Sequence, residues 1–174
     1  TMSNNTVAHS ILLSESENLS NILIQNCTVN KTLQYFSAKN NSTININNPT
    51  GAGSHLWLMA NNRSTINVTG TSASQTVQRC KAFDGSITVN NCTVAMTHDM
   101  NFACDSGAIN IQNLAVAKAL TYAQAMGGNI SLTGTVVGGV TKLDVTTNGN
   151  ISISGTAGAI AAVDCSEGTV AING

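Results

Sequence analysis

Charge is what this chain has least of. Of its 174 residues only 9% are Asp, Glu, Lys or Arg, and the formal net charge is −1. Nucleic acids and anionic membrane surfaces are recognised through a basic field that displaces counterions, so neither is an expected partner. Aromatic residues are scarcer still, at 3%. A stacking platform for bases or sugars has to be assembled from few side chains, among them Tyr35, Trp57, Phe102 and Tyr122. No apolar run approaches the roughly 18 residues of a membrane span, so insertion is not expected. Nothing at the N-terminus reads as a signal peptide, and Thr1-Met2 reads as a tag scar ahead of a natural start. Disorder is excluded by what remains, since 42% of the residues are hydrophobic and the Val and Ile recur at regular places. The length suits one domain with a continuous core.

That recurrence is the main signal. Aliphatic-x-aliphatic units stand at Ile22-Leu23-Ile24, Ile44-Asn45-Ile46, Ile66-Asn67-Val68 and Ile87-Thr88-Val89. They continue at Ile109-Asn110-Ile111, Ile130-Ser131-Leu132, Ile151-Ser152-Ile153 and Val170-Ala171-Ile172. Successive starts differ by 22, 22, 21, 22, 21, 21 and 19 residues. Period-two alternation puts both aliphatics on one face and the middle residue on the other. Eight strands at a fixed period are rungs of a coil, not hairpins.

Two restricted columns mark the corners. Two residues after each second aliphatic stand Asn26, Asn48, Gly70, Asn91, Asn113, Gly134, Gly155 and Gly174, all of a type that tolerates positive φ. Two residues before each first aliphatic stand Ser20, Ser42, Ser64, Gly85, Gly107, Gly128, Gly149 and Gly168, the corner leading into the strand. A second apolar side is expected from Leu56 and Leu58, Met100 and Phe102, Leu143 and Val145, and Ile160 and Val163. A third, short side carries Val29, Val94, Val116 and Val137. The expected fold is all-β: a single right-handed parallel β-solenoid, roughly three-sided, with about 21–22 residues per coil and about eight rungs. Residues 1–21 should form an N-terminal cap or irregular first coil, and residues 22–174 the parallel β-helix. Val170-Ala171-Ile172 reads as a bare final rung, left either by a cut or for a homotrimer or end-to-end partner to cover.

With the rung aliphatics and the Asn/Gly column in view, residues 18–174 resemble the right-handed parallel β-helix superfamily of pectin and pectate lyases, phage tailspikes and bacterial adhesins. The resemblance implies the fold. It implies no catalytic residue, because one scaffold hosts lyases, hydrolases and passive binders.

Depolymerases on this fold group carboxylates on one outer face. Here Asp84 and Asp105 fall near one corner on adjacent coils, but Arg63 lies in the Asp84 column one coil earlier, so surface pairing is the expected role of Asp84. His55 and His98 both sit eleven residues before the next first aliphatic, with Thr76 between them. Two coils separate them by roughly 9.6 Å, too far to share one zinc but within reach of a glycan. Cys27 and Cys92 occupy one column three coils apart, about 14 Å, beyond the roughly 7 Å limit of a disulfide. Cys80 and Cys104 lie two columns apart on neighbouring coils. With Cys165 these are expected to be buried free thiols, in a protein folded under reducing conditions. Sequons such as Asn26-Cys27-Thr28 arise from composition alone.

The outward rung positions form an uncharged grid of hydroxyls and amides, including Thr43, Asn45, Thr65, Asn67, Thr88 and Asn110. Rigid neutral donors and acceptors suit sugar recognition. The sequence therefore points first to a non-enzymatic binding or structural module of phage tailspike, tail-fibre-tip or adhesin type, on a virion tail or cell surface, touching a cell-surface polysaccharide or glycan. Its expected ligand contacts are that grid with His55 and His98, and no cofactor or metal is expected. An ice-binding solenoid comes second and a polysaccharide-degrading enzyme third.

Overall fold

The computed structural model describes residues 1–174 apart from 8–10, 30–32, 49, 52–53, 71–74, 92, 95–97, 117–119, 137–138, 156–157 and 174. Every strand pair among the described residues is parallel, and no helix occurs among them. The rung sheet stacks Met2–Ser3, Asn21–Gln25, Thr43–Asn47, Thr65–Thr69, Ser86–Asn90, Ala108–Val116, Asn129–Val136, Gly149–Ser154 and Gly168–Asn173. The second sheet stacks Ile11–Glu17, Leu33–Lys39, Ser54–Asn61, Gln75–Phe83, His98–Cys104, Leu120–Met126, Val140–Thr146 and Val163–Cys165. Thr6–Val7, Thr28–Val29 and Thr50–Gly51 make a short third sheet. Because each strand pairs with the one a full coil away, the chain is a parallel β-solenoid. Residues before Asn21 contribute strands to all three sheets, the first of them through Met2 paired with Ile24.

The rung aliphatics align as two ladders. One runs Ile22, Ile44, Ile66, Ile87, Ile109, Ile130, Ile151, Val170, and the other Ile24, Ile46, Val68, Val89, Ile111, Leu132, Ile153, Ile172. From Ile44 to Ile111 these side chains are fully buried, each contributing about 1.5–3 kcal/mol. The residues between them, Asn45, Asn67, Thr88 and Asn110, are half-buried on the outside. Facing the rungs across the core are two inward columns of the second sheet. Phe36, Leu58, Cys80, Asn101, Ala123 and Leu143 form one, and Ala38, Ala60, Ala82, Ala103, Ala125 and Val145 the other.

The side chains of Met100 and Phe102, expected inside, lie outside the described part of the structure. Their backbone positions pair with Arg79 and Lys81, and it is Asn101 and Ala103 that are buried in this coil. A register slip between Val77 and Arg79 moves the count by one, and in a period-two strand one residue exchanges the faces. Val163, also expected inside, is 51% exposed at the edge of its sheet. On the third side Val94 pairs with Val116 and Val116 with Val136. Val137, the expected partner, lies outside the described residues.

The first corner column is left-handed throughout its described length: Asn26, Asn48, Gly70, Asn91, Asn113, Gly134 and Gly155 all have positive φ. Gly174 lies outside the described residues. The second column has a different cause. Its left-handed residues come just before it in seven coils, at Leu19, Asn41, Arg63, Asp84, Ser106, Gly127 and Asn148, and only in the last coil does the column residue itself, Gly168, have positive φ. Gly107 and Gly149 are small because a Cβ there would meet the Ala82 carbonyl oxygen at 2.3 Å and that of Ala125 at 2.4 Å. The glycine column presses on the alanine column of the preceding coil.

Candidate functional site

The rung sheet presents its outward residues in straight rows. Thr43, Thr65 and Ser86 form one row, and Asn45, Asn67, Thr88, Asn110, Ser131 and Ser152 the next. Rows repeat at roughly the 4.8 Å strand spacing. Several members are already ordered by their neighbours: Asn67 Nδ2 donates to Asn45 Oδ1 at 2.9 Å, and Asn150 Nδ2 to Asn129 Oδ1 at 2.9 Å. Each amide spends one donor along the ladder and keeps the rest for solvent or ligand. Corner asparagines form parallel ladders, with Asn113 Nδ2 donating to Asn91 Oδ1 at 2.8 Å and Asn62 Nδ2 to Asn40 Oδ1 at 3.0 Å. All six grid residues singled out from the sequence therefore lie on one face.

The histidines do not join them. His55 and His98 are both on the second sheet, where His55 pairs with Thr76 and His98 with Leu120. Counted back from the Arg79–Met100 pair, His98 stands level with Val77, so the two do not share the column their spacing suggested. Their side chains lie outside the described part of the structure.

The outer face of the second sheet holds features the spacing could have revealed. Tyr35, Trp57 and Arg79 are each 22 residues apart and in register, and the column continues through Met100 to Tyr122 and Lys142. Tyr35, Trp57, Leu58, Met59, Arg79 and Lys81 line a groove of about 210 Å³. The Arg79 guanidinium lies 4.6 Å from the Trp57 ring centroid, and Tyr35 Oη donates to Met59 Sδ at 3.7 Å. Further along, Asp144 Oδ2 accepts from Tyr122 Oη at 2.9 Å and from Gln124 Nε2 at 3.2 Å, and lies 3.5 Å from Lys142 Nζ. Burial, then the neighbouring Asp144 carboxylate, pushes the Tyr122 hydroxyl up to about 12. Asp164 is in register with Asp144 on the next coil.

Asp84 lies 3.9 Å from Arg63 across a shallow depression at the corner, and both side chains are more than half exposed. Asp105 is also exposed and accepts from Cys104 Sγ at 3.4 Å. Burial first, and then Asp105, raises the Cys104 thiol to about 11, far from a reactive thiolate. Among the described residues no three His, Cys, Asp or Glu side chains converge as metal ligands. Cys27, Cys80 and Cys104 are free and buried. Cys165 is free but exposed, contrary to the expectation of burial, because it stands on the edge strand Val163–Cys165. Cys92 lies outside the described residues.

Compared with known proteins, the chain matches no family model, no curated protein and no solved structure.

Proposed function

We propose that this chain is a non-enzymatic binding and structural module, of phage tailspike, tail-fibre-tip or bacterial adhesin type, that recognises a cell-surface glycan. The observation that carries this reading is the rung-sheet grid. Its Thr, Ser and Asn side chains stand in register on a backbone held by parallel ladders on both sides, so little entropy remains to be lost on binding. The amide ladder from Asn67 to Asn45 orders donors and acceptors before a ligand arrives. Buried free thiols at Cys27, Cys80 and Cys104 suit folding under reducing conditions, as a virion component does before release. The partnered acids speak against a depolymerase. Asp84 pairs with Arg63, and Asp144 with Tyr122, Gln124 and Lys142.

Binding of the intact chain to a glycan array tests this. Asn67→Ala combined with Thr88→Ala should abolish the grid-dependent signal while stability changes by about 1 kcal/mol, the net scale of the one half-buried hydrogen bond from Asn67 to Asn45. That binding should survive chelation and release no reducing sugar. Chelator-sensitive cleavage of a polysaccharide, or its loss on Asp84→Asn or Asp105→Asn, would replace this reading with an enzymatic one. The straight rows of Thr and Asn also suit the ordering of water, and thermal hysteresis without glycan binding would favour an ice-binding solenoid.

A further inference from the structure

We infer that the groove between Tyr35, Trp57, Met59, Arg79 and Lys81 is a subsite for a carboxylate-bearing sugar residue. It lies on the second sheet, away from the rung-sheet grid, and stands on separate observations. Seven residues of the chain are Lys or Arg. Five of them are described, and three, Lys39, Arg63 and Lys142, have a carboxylate within 4 Å. Arg79 and Lys81 have none among the described residues, and both line this groove. In a chain with so few charges, two uncompensated cations on one face of one strand make a local positive site that an anion would neutralise.

Arg79 is prepared for that anion. Its guanidinium carbon lies 4.6 Å from the Trp57 ring centroid, within cation–π range, and its buried Nε meets no acceptor among the described residues. A planar fork held this way suits two parallel hydrogen bonds to a carboxylate. Lys81, two residues along the same strand, lines the same groove.

The molecule holds an internal likeness of the occupied state. Further along the same two columns, Tyr122 and Lys142 stand in register with Arg79 by way of Met100, and Asp144 stands in the Lys81 column by way of Phe102 and Gln124. There the carboxylate of Asp144 serves an aromatic hydroxyl, an amide and an ammonium together. The Trp57 groove has the aromatic ring and the cations, but no carboxylate among its described lining residues. Its remaining lining is apolar, from Tyr35, Leu58 and Met59. At about 210 Å³ it is smaller than the roughly 300–1,000 Å³ that encloses a drug-sized ligand, so it admits one ring. A pyranose with a C–H face for the apolar wall and a carboxylate for Arg79 and Lys81 matches both halves.

Trp57 is the single tryptophan of the chain, so its fluorescence reports this groove directly. The intact chain is titrated with a glucuronate-containing oligosaccharide, with the neutral glucose oligosaccharide of the same linkage, and with oligo-glutamate. The acidic sugar should give a saturable change that weakens as salt is raised and falls at least tenfold in affinity in Arg79→Gln and in Lys81→Gln. Lys142→Gln, whose ammonium is already paired, should leave the titration unchanged, as should the grid variant Asn67→Ala/Thr88→Ala. Equal response to the neutral sugar would overturn the charge assignment, and equal response to oligo-glutamate the sugar assignment. Unchanged affinity in Lys81→Gln, or no response to the acidic sugar, would overturn the site. A glycan-array signal lost with the grid variant while the Trp57 response persists would separate this subsite from the grid.

Discussion

Gly107→Ala tests the packing of the second corner most sharply. A Cβ on Gly107 would lie 2.3 Å from the Ala82 carbonyl oxygen, 2.7 Å from its carbon and 2.9 Å from the Cys104 oxygen, where ordinary contact begins at 3.4 Å. The corner must open by 3.4 − 2.3, or 1.1 Å, toward neighbours that are all backbone and cannot rotate aside. Two bonds cross this point between coils, Ala108 N to Gly85 O at 2.8 Å and Asn129 N to Gly107 O at 2.9 Å. Weakening both costs on the order of 1–3 kcal/mol, the same range as overpacking a core, so a loss of about 3 kcal/mol is expected. Ser64 supplies the control, since its column position already accommodates a Cβ. Ser64→Ala loses the bond from Ser42 N to Ser64 Oγ, about 1 kcal/mol. Adding Ala82→Gly to Gly107→Ala should not restore stability, because the closest contacts are to the Ala82 carbonyl and not to its methyl. Chemical denaturation followed by circular dichroism measures this as a lower midpoint at unchanged slope. A Gly107→Ala protein as stable as Ser64→Ala would refute the reasoning.

Other positions make independent predictions. Asn91, at φ +54°, should tolerate Gly better than Val by about 1–2 kcal/mol in denaturation, since both lose the bond from Asn113 but Val alone is strained in the left-handed region. Tyr122 ionises in the folded state near 12, above its ordinary value of 10.0, so its stabilising contribution is complete below pH 10 and is lost as pH rises toward 12. Tyrosinate absorbance should follow this step, and Asp144→Asn should move it to lower pH. Of the four described cysteines, Cys165 should react with a thiol reagent in the native protein while Cys27, Cys80 and Cys104 wait for unfolding. An intramolecular disulfide among the four, detected by mass spectrometry, would contradict the coil geometry.

The parallel solenoid was legible because its signal is repeated. Each rung must bury two aliphatics at fixed spacing, and each first corner must admit a left-handed residue, so the sequence restates both demands in every coil. The grid was legible for the same reason, as the alternate of a known inward pattern. Face assignment on the second sheet was not, because one slipped residue at Val77–Arg79 exchanges the inside and outside of the coil. Hydrophobicity pointed to Met100 and Phe102, whereas the register buries Asn101 and Ala103. The glycines of the second corner were visible as a column, yet their cause lay in the alanine ladder of the coil before, a contact about 25 residues away in the chain. By itself the sequence determined the coil, its period and its neutral rung face, all of which follow from local alternation. The 22-residue spacing lines up Tyr35, Trp57 and Arg79, but only the tertiary structure decided that they meet Lys81 in a groove on the outer face, because the slip between Val77 and Arg79 sets which face they take.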